Sequence, residues 1–126
     1  MTKLCITFSI LCSFLFTSNE PEWDIIYTKA SYALNHTKKA LGSNNFDHQR
    51  YYSEKALEAY IDISEYLETS NDDELKLKIE DTISDLEHAV DAPDWDRGRF
   101  YSKRVHKNTQ EFILELDLRA IEIAEN

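Results

Sequence analysis

Apolar residues recur every three or four positions in four stretches of the chain, which is the spacing of amphipathic helices. We predict helices over about 19–41, 47–68, 72–90 and 96–124. Four such helices with short links favour an all-α, up-down four-helix bundle. The predicted buried stripes are Trp23, Ile26, Ala30, Leu34, Thr37 and Leu41; Tyr52, Ala56, Ala59, Tyr60, Ile63 and Leu67; Leu75, Ile79, Ile83, Leu86 and Val90; and Tyr101, Val105, Phe112, Leu116 and Ile123.

One stretch of the chain returns 49 residues later without a gap: residues 46–53 match residues 95–102. Extending the comparison to 40–56 against 89–105 gives five identities in 17 positions. A repeat of this length holds two helices. We therefore predict two duplicated helical hairpins related by a pseudo-twofold axis.

The repeated stretch contains residues that start helices. An acidic residue is a favourable N-cap, and an apolar residue just before the cap packs on another in the first turns as a hydrophobic staple. We expect Asp47 and Asp96 to be the N-caps. The staple residues before them are Phe46 and Trp95, which should pack on Tyr51 and Phe100 respectively.

The first 18 residues have the pattern of a signal peptide, with Lys3 before an apolar run of 13 residues from Leu4 to Phe16. The run is shorter than the roughly 20 residues that span a bilayer. We expect a signal peptide over 1–18 and a bundle domain over 19–126, exported to the periplasm or the medium and free of the membrane after cleavage. Both cysteines, Cys5 and Cys12, would leave with the signal, so a disulfide or thiolate site is not expected.

The chain is acidic, with 24 Asp and Glu against 14 Lys and Arg and a formal net charge of −10. Nucleic-acid binders present clustered basic residues, so we do not expect a nucleic-acid partner. The charge suits a cationic partner, or simply keeps the surface well solvated.

Arg50 and Arg99 recur beside Tyr52 and Tyr101, which predicts a ligand or anion-binding site at one end of the bundle. Arginine binds carboxylates with two hydrogen bonds and stacks on aromatic rings. The alternative is that both arginines pair with nearby acids and recur because the unit was duplicated.

A metal centre is not expected, because the acid-and-histidine group of helix 3 should face water. Asp81, Asp85 and His88 lie opposite the apolar stripe of that helix. A nucleophile in a glycine-rich turn and a phosphate-binding loop are also missing from a sequence with two glycines. We therefore expect neither a cofactor nor enzymatic activity.

Arg99 and His106 resemble the Arg-x(4–6)-His element of HEPN-type ribonucleases, which implies a four-helix core. The resemblance covers eight residues, and Phe100 stands where that family usually has a polar residue. The chain is also acidic and predicted to be exported. We assign no catalytic role to Arg99 or His106.

Leu114, Leu118 and Ile121 form a second apolar row on helix 4, away from its core stripe. Three arrangements would cover this row: burial inside the monomer, pairing with a second copy of the chain, or binding of a different protein. We expect a small exported bundle that acts by protein binding, through acidic faces on helices 2 and 3 or the end of helix 4. Its role would be that of an inhibitor, an immunity-type protein or an adaptor. The alternative function is a ligand or metal carrier.

Overall fold

The computed structural model describes residues 20–125, which form the predicted four-helix bundle. Its helices are α1 (Trp23–Gly42), α2 (Phe46–Tyr66), α3 (Asp73–Val90) and α4 (Trp95–Glu125). Each helix packs on the one before it, α1 also packs on α4, and α2 and α4 meet across the diagonal. The predicted signal peptide lies outside the described residues.

The up-down order gives the bundle two distinct ends. The hairpin end holds the α1–α2 and α3–α4 links, and the opposite end holds the α2–α3 link together with Glu20 and Glu125. Within residues 20–125, the structure contains no helix that is long and apolar enough to cross a membrane.

The core is built mainly from the predicted stripes. Tyr60, Ile63 and Val105 are fully buried, and small alanines on α1 and α2 allow these helices to approach closely. Ile123 was predicted in the core and is 62% exposed, because α4 continues past the other three helices. The buried apolar cluster is Ile26, Ala30, Ala33, Ala56, Ala59, Tyr60, Ile63, Leu67, Leu75, Ile79, Leu86, Val105, Phe112 and Leu116.

The predicted N-caps are wrong, because the capping residues lie two positions before Asp47 and Asp96, and the predicted staples are wrong with them. The Asn45 side chain caps α2 by accepting hydrogen bonds from two backbone N–H groups, and the Asp94 side chain accepts from the Arg97 N–H at the start of α4. Phe46 and Trp95 are therefore the first residues of their helices. A staple requires an apolar residue before the cap, so they cannot fill that role.

The duplication is visible as contacts between equivalent residues of α2 and α4. Tyr60 Oη lies 2.7 Å from Thr109 Oγ1, and the two residues are 49 positions apart. Gln49 faces Gly98, also 49 positions away, so closely that a Cβ on Gly98 would overlap Gln49 Oε1. The pseudo-twofold axis therefore runs between α2 and α4.

Asp85 was predicted to face water and is instead buried on the α3 side that meets α4. Arg104 Nε lies 3.2 Å from Asp85 Oδ2, an ion pair without good hydrogen-bond alignment. The prediction failed because a helical wheel does not show a basic partner on a neighbouring helix.

Candidate functional site

The predicted ligand residues Arg50 and Arg99 lie at the hairpin end, where each reaches across to the other hairpin. Arg50 donates to the Ala92 carbonyl just after α3 at 3.5 Å, and Arg99 donates to the Leu41 carbonyl in the last turn of α1 at 2.8 Å. Carbonyls at helix ends lack partners within their own helix, so arginine satisfies them well. Reciprocal capping of the two hairpins therefore accounts for the recurrence of these arginines in the repeat, and a bound ligand is not needed to explain it.

The same two guanidinium groups lie over aromatic rings. Arg50 is 4.9 Å from the ring centre of Phe46, and Arg99 is 5.7 Å from that of Trp95. Phe46 and Trp95 therefore hold the capping arginines by cation–π contact.

Tyr52 and Tyr101, the other predicted ligand residues, lie at equivalent half-buried positions on the two hairpins. The Tyr52 ring is 6.1 Å from His36, and the Tyr101 ring stacks on His88 at 5.0 Å. Each tyrosine packs on its own hairpin, so these rings and the two arginines form two separate sets of contacts.

The predicted partner-binding row lies on the surface of α4. Leu114, Leu118 and Ile121 are 60%, 55% and 54% exposed. Within residues 20–125, burial inside the monomer, the first of the three alternatives, is therefore wrong.

The row is exposed because it lies on the side of α4 away from the buried Phe112 and Leu116. In addition, α4 extends past its counterpart α2, with 31 residues against 21. The extra length is about 15 Å of helix. The overhang begins opposite the end of α2, and from Ala120 to Glu125 every residue is exposed.

Arg119 anchors the base of the overhang. Its guanidinium pairs with Asp72 at the start of α3 and lies 5.1 Å from the ring centre of Trp23 on α1. A hydrogen bond from the Leu75 N–H, followed by the interaction with Arg119, holds the pKa of Asp72 below its usual value. The anchor holds this part of α4 against the starts of α1 and α3.

A groove between α3 and α4 borders this row. It has a volume of about 400 Å³ and includes the row residues Leu114 and Leu118. Its floor contains the core residues Ile79 and Phe112, so the apolar surface of the row continues inward. We call the groove and the three row residues together the α4 surface. The groove is lined by Leu75, Lys78, Ile79, Asp81, Thr82, Asn108, Glu111, Phe112, Leu114, Glu115 and Leu118.

His106 and Arg99, the pair with ribonuclease-like spacing, have separate roles in the fold. Arg99 is engaged at the end of α1, as described above. Burial, followed by the charge of Lys38, lowers the pKa of His106. This environment favours a neutral imidazole in the folded protein.

Sequence reasoning missed two features of the site. The anchor formed by Arg119, Asp72 and Trp23 joins three helices, and local spacing carries no signal for it. The close approach of Gln49 to Gly98 could have been predicted from the sequence, because the two residues occupy the same position of the repeat and one of them is a glycine.

The chain matches no family model, and no curated protein or solved structure is significantly similar to it.

Proposed function

We propose that the protein is exported and acts by binding another protein chain through the α4 surface. The observation that carries the proposal is the continuous exposed row of Leu114, Leu118 and Ile121 beside a groove with an apolar floor. An exposed row of apolar side chains lowers the solubility of a protein unless a partner covers it, and such rows therefore mark interaction sites. The role is that of an inhibitor, an immunity-type protein or an adaptor, without chemistry of its own.

The carrier alternative has less support, because its best candidate groups are already engaged. Arg50 and Arg99 bind helix-end carbonyls and lie over aromatic rings. Elemental analysis and an absorption spectrum of protein from its native compartment test this alternative. A stoichiometric metal or chromophore would favour it over protein binding.

Substitution of Leu118 tests the proposed function. Leu118→Glu places a charge on an exposed site, so we expect the thermal melt of the variant to match that of wild type within about 0.5 kcal/mol in unfolding free energy. Leu77→Glu is the matched control, because Leu77 is 57% exposed and lies on α3 outside the row.

The measurement is capture of partners from the native extract or medium by the wild type and both variants. We expect at least one species to be retained by wild type and Leu77→Glu and lost with Leu118→Glu. Partners that Leu118→Glu retains in full would refute the role of the α4 surface. Substrate turnover by the purified chain alone would refute the binding role itself.

A further inference from the structure

The apolar row on α4 is surrounded by carboxylates. With 100° between successive residues, Leu114, Leu118 and Ile121 fall within about 60° of one another on the helix. Glu111 and Glu125 fall on the same face at its two ends. Asp117 and Glu122 flank the row on either side.

These four carboxylates are exposed and carry net negative charge. In the described part of the chain, none of them lies within ion-pairing distance of a basic side chain. Glu115 differs, since it lies 3.9 Å from Lys78 and 3.4 Å from Arg119. Between 108 and 125, Arg119 is the one basic residue, and it pairs with Asp72.

We propose that the α4 surface receives a basic amphipathic helix of another protein, an inference that rests on the proposed function. The i, i+4, i+7 spacing of the row and the inter-helix groove suit the apolar face of a helix. Lysine or arginine residues beside that apolar face would meet the four carboxylates. Charge complementarity of this kind determines partner choice and speeds association.

The same charges argue against a second copy as the occupant. Pairing two α4 surfaces would bring four carboxylates of one chain close to four of the other. Like charges facing each other across an interface cost free energy and disfavour the pairing.

Three synthetic peptides test the proposal against the full-length chain, with affinity measured by fluorescence anisotropy. The first has a leucine face flanked by lysines, the second has glutamates in place of the lysines, and the third is a scrambled form of the first without an apolar face. We expect the first to bind at least about tenfold more tightly than the other two, and added salt to reduce this preference.

Variants locate the binding. Leu118→Glu should abolish binding of the lysine peptide and Leu77→Glu should preserve it, while the combined Glu111→Gln, Asp117→Asn, Glu122→Gln and Glu125→Gln variant should lose the preference for lysine over glutamate. Equal binding of both leucine peptides that is lost in Leu118→Glu would overturn the charge preference and leave the proposed function standing. Absence of any peptide binding, with partner capture still dependent on Leu118, would likewise overturn the basic-helix inference alone.

Two other occupants give distinct results. A dimer in sedimentation analysis that Leu118→Glu dissociates would assign the surface to a second copy and overturn the proposal. Residues 1–19 contain the two cysteines of the chain, Cys5 and Cys12. An intramolecular cross-link to Leu118→Cys, absent for Leu77→Cys, would assign the surface to that segment and also overturn the proposal.

Discussion

Gly98→Ala is expected to disturb the contact between the two hairpins. Gly98 and Gln49 are equivalent residues that meet on the pseudo-twofold axis, where two large side chains would overlap. A Cβ at residue 98 would overlap Gln49 Oε1 and lie 2.9 Å from Gln49 Cδ. Gln49 is fully buried, which restricts the space into which its amide can move.

The size of the effect follows from two opposing contributions. Alanine is better than glycine inside a helix by about 1 kcal/mol. Overpacking a buried site costs about 1–3 kcal/mol. In the Gln49→Ala background the obstruction is absent, so Gly98→Ala should there be stabilising by about 1 kcal/mol. The coupling between the two substitutions should therefore be about 1–3 kcal/mol.

The assay is urea unfolding followed by circular dichroism for wild type, both single variants and the double variant. We expect Gly98→Ala to be less favourable in the wild-type background than in the Gln49→Ala background. Equal effects in both backgrounds would refute the steric contact. Unchanged denaturant slopes would show that the variants share one folded and one unfolded state.

Two further substitutions test the anchors of the fold. Tyr60→Phe removes a buried hydroxyl 2.7 Å from Thr109 Oγ1 and should lower the unfolding free energy by about 1 kcal/mol. Tyr27→Phe, at an exposed position, is the control and should leave the unfolding free energy unchanged. Equal stability of the two variants would contradict the role of the buried hydroxyl. Asp72→Asn keeps a capping side chain but removes the charge whose pKa is lowered by folding. That charge stabilises the fold above the unfolded pKa of about 3.9 and loses its effect as the pH falls through the lower folded pKa. The melting temperature of the variant should therefore lie below that of wild type at neutral pH, and the difference should shrink in acid. A difference that does not change with pH would refute the assignment.

The bundle could be predicted from the sequence because its information is local and repeated. Periodic apolar positions set each helix, and α2 and α4 begin 49 residues apart as the repeat requires. Helix starts were less predictable, because several side chains compete to cap them. Asn45 and Asp94 precede the acids we expected as caps, and their oxygens reach the first N–H groups.

The site was predictable in part for the same reason. The row of Leu114, Leu118 and Ile121 is a property of one helix and was found from spacing alone. The capping by Arg50 and Arg99 depends on where other helices end, which spacing does not encode. The partner that we propose for the row belongs to another molecule, so its only trace in this chain is the acidic residues around the row.

Hydrogen exchange of the full-length chain, alone and with its captured partner, tests the binding role of α4 most directly. Free, the backbone of 120–125 should exchange faster than the rest of α4, because every residue there is exposed and a helix end without packing opens readily. With the partner bound, we predict that exchange in 114–125 slows more than anywhere else in residues 20–125. Protection that falls on other helices while 114–125 is unchanged would contradict the account.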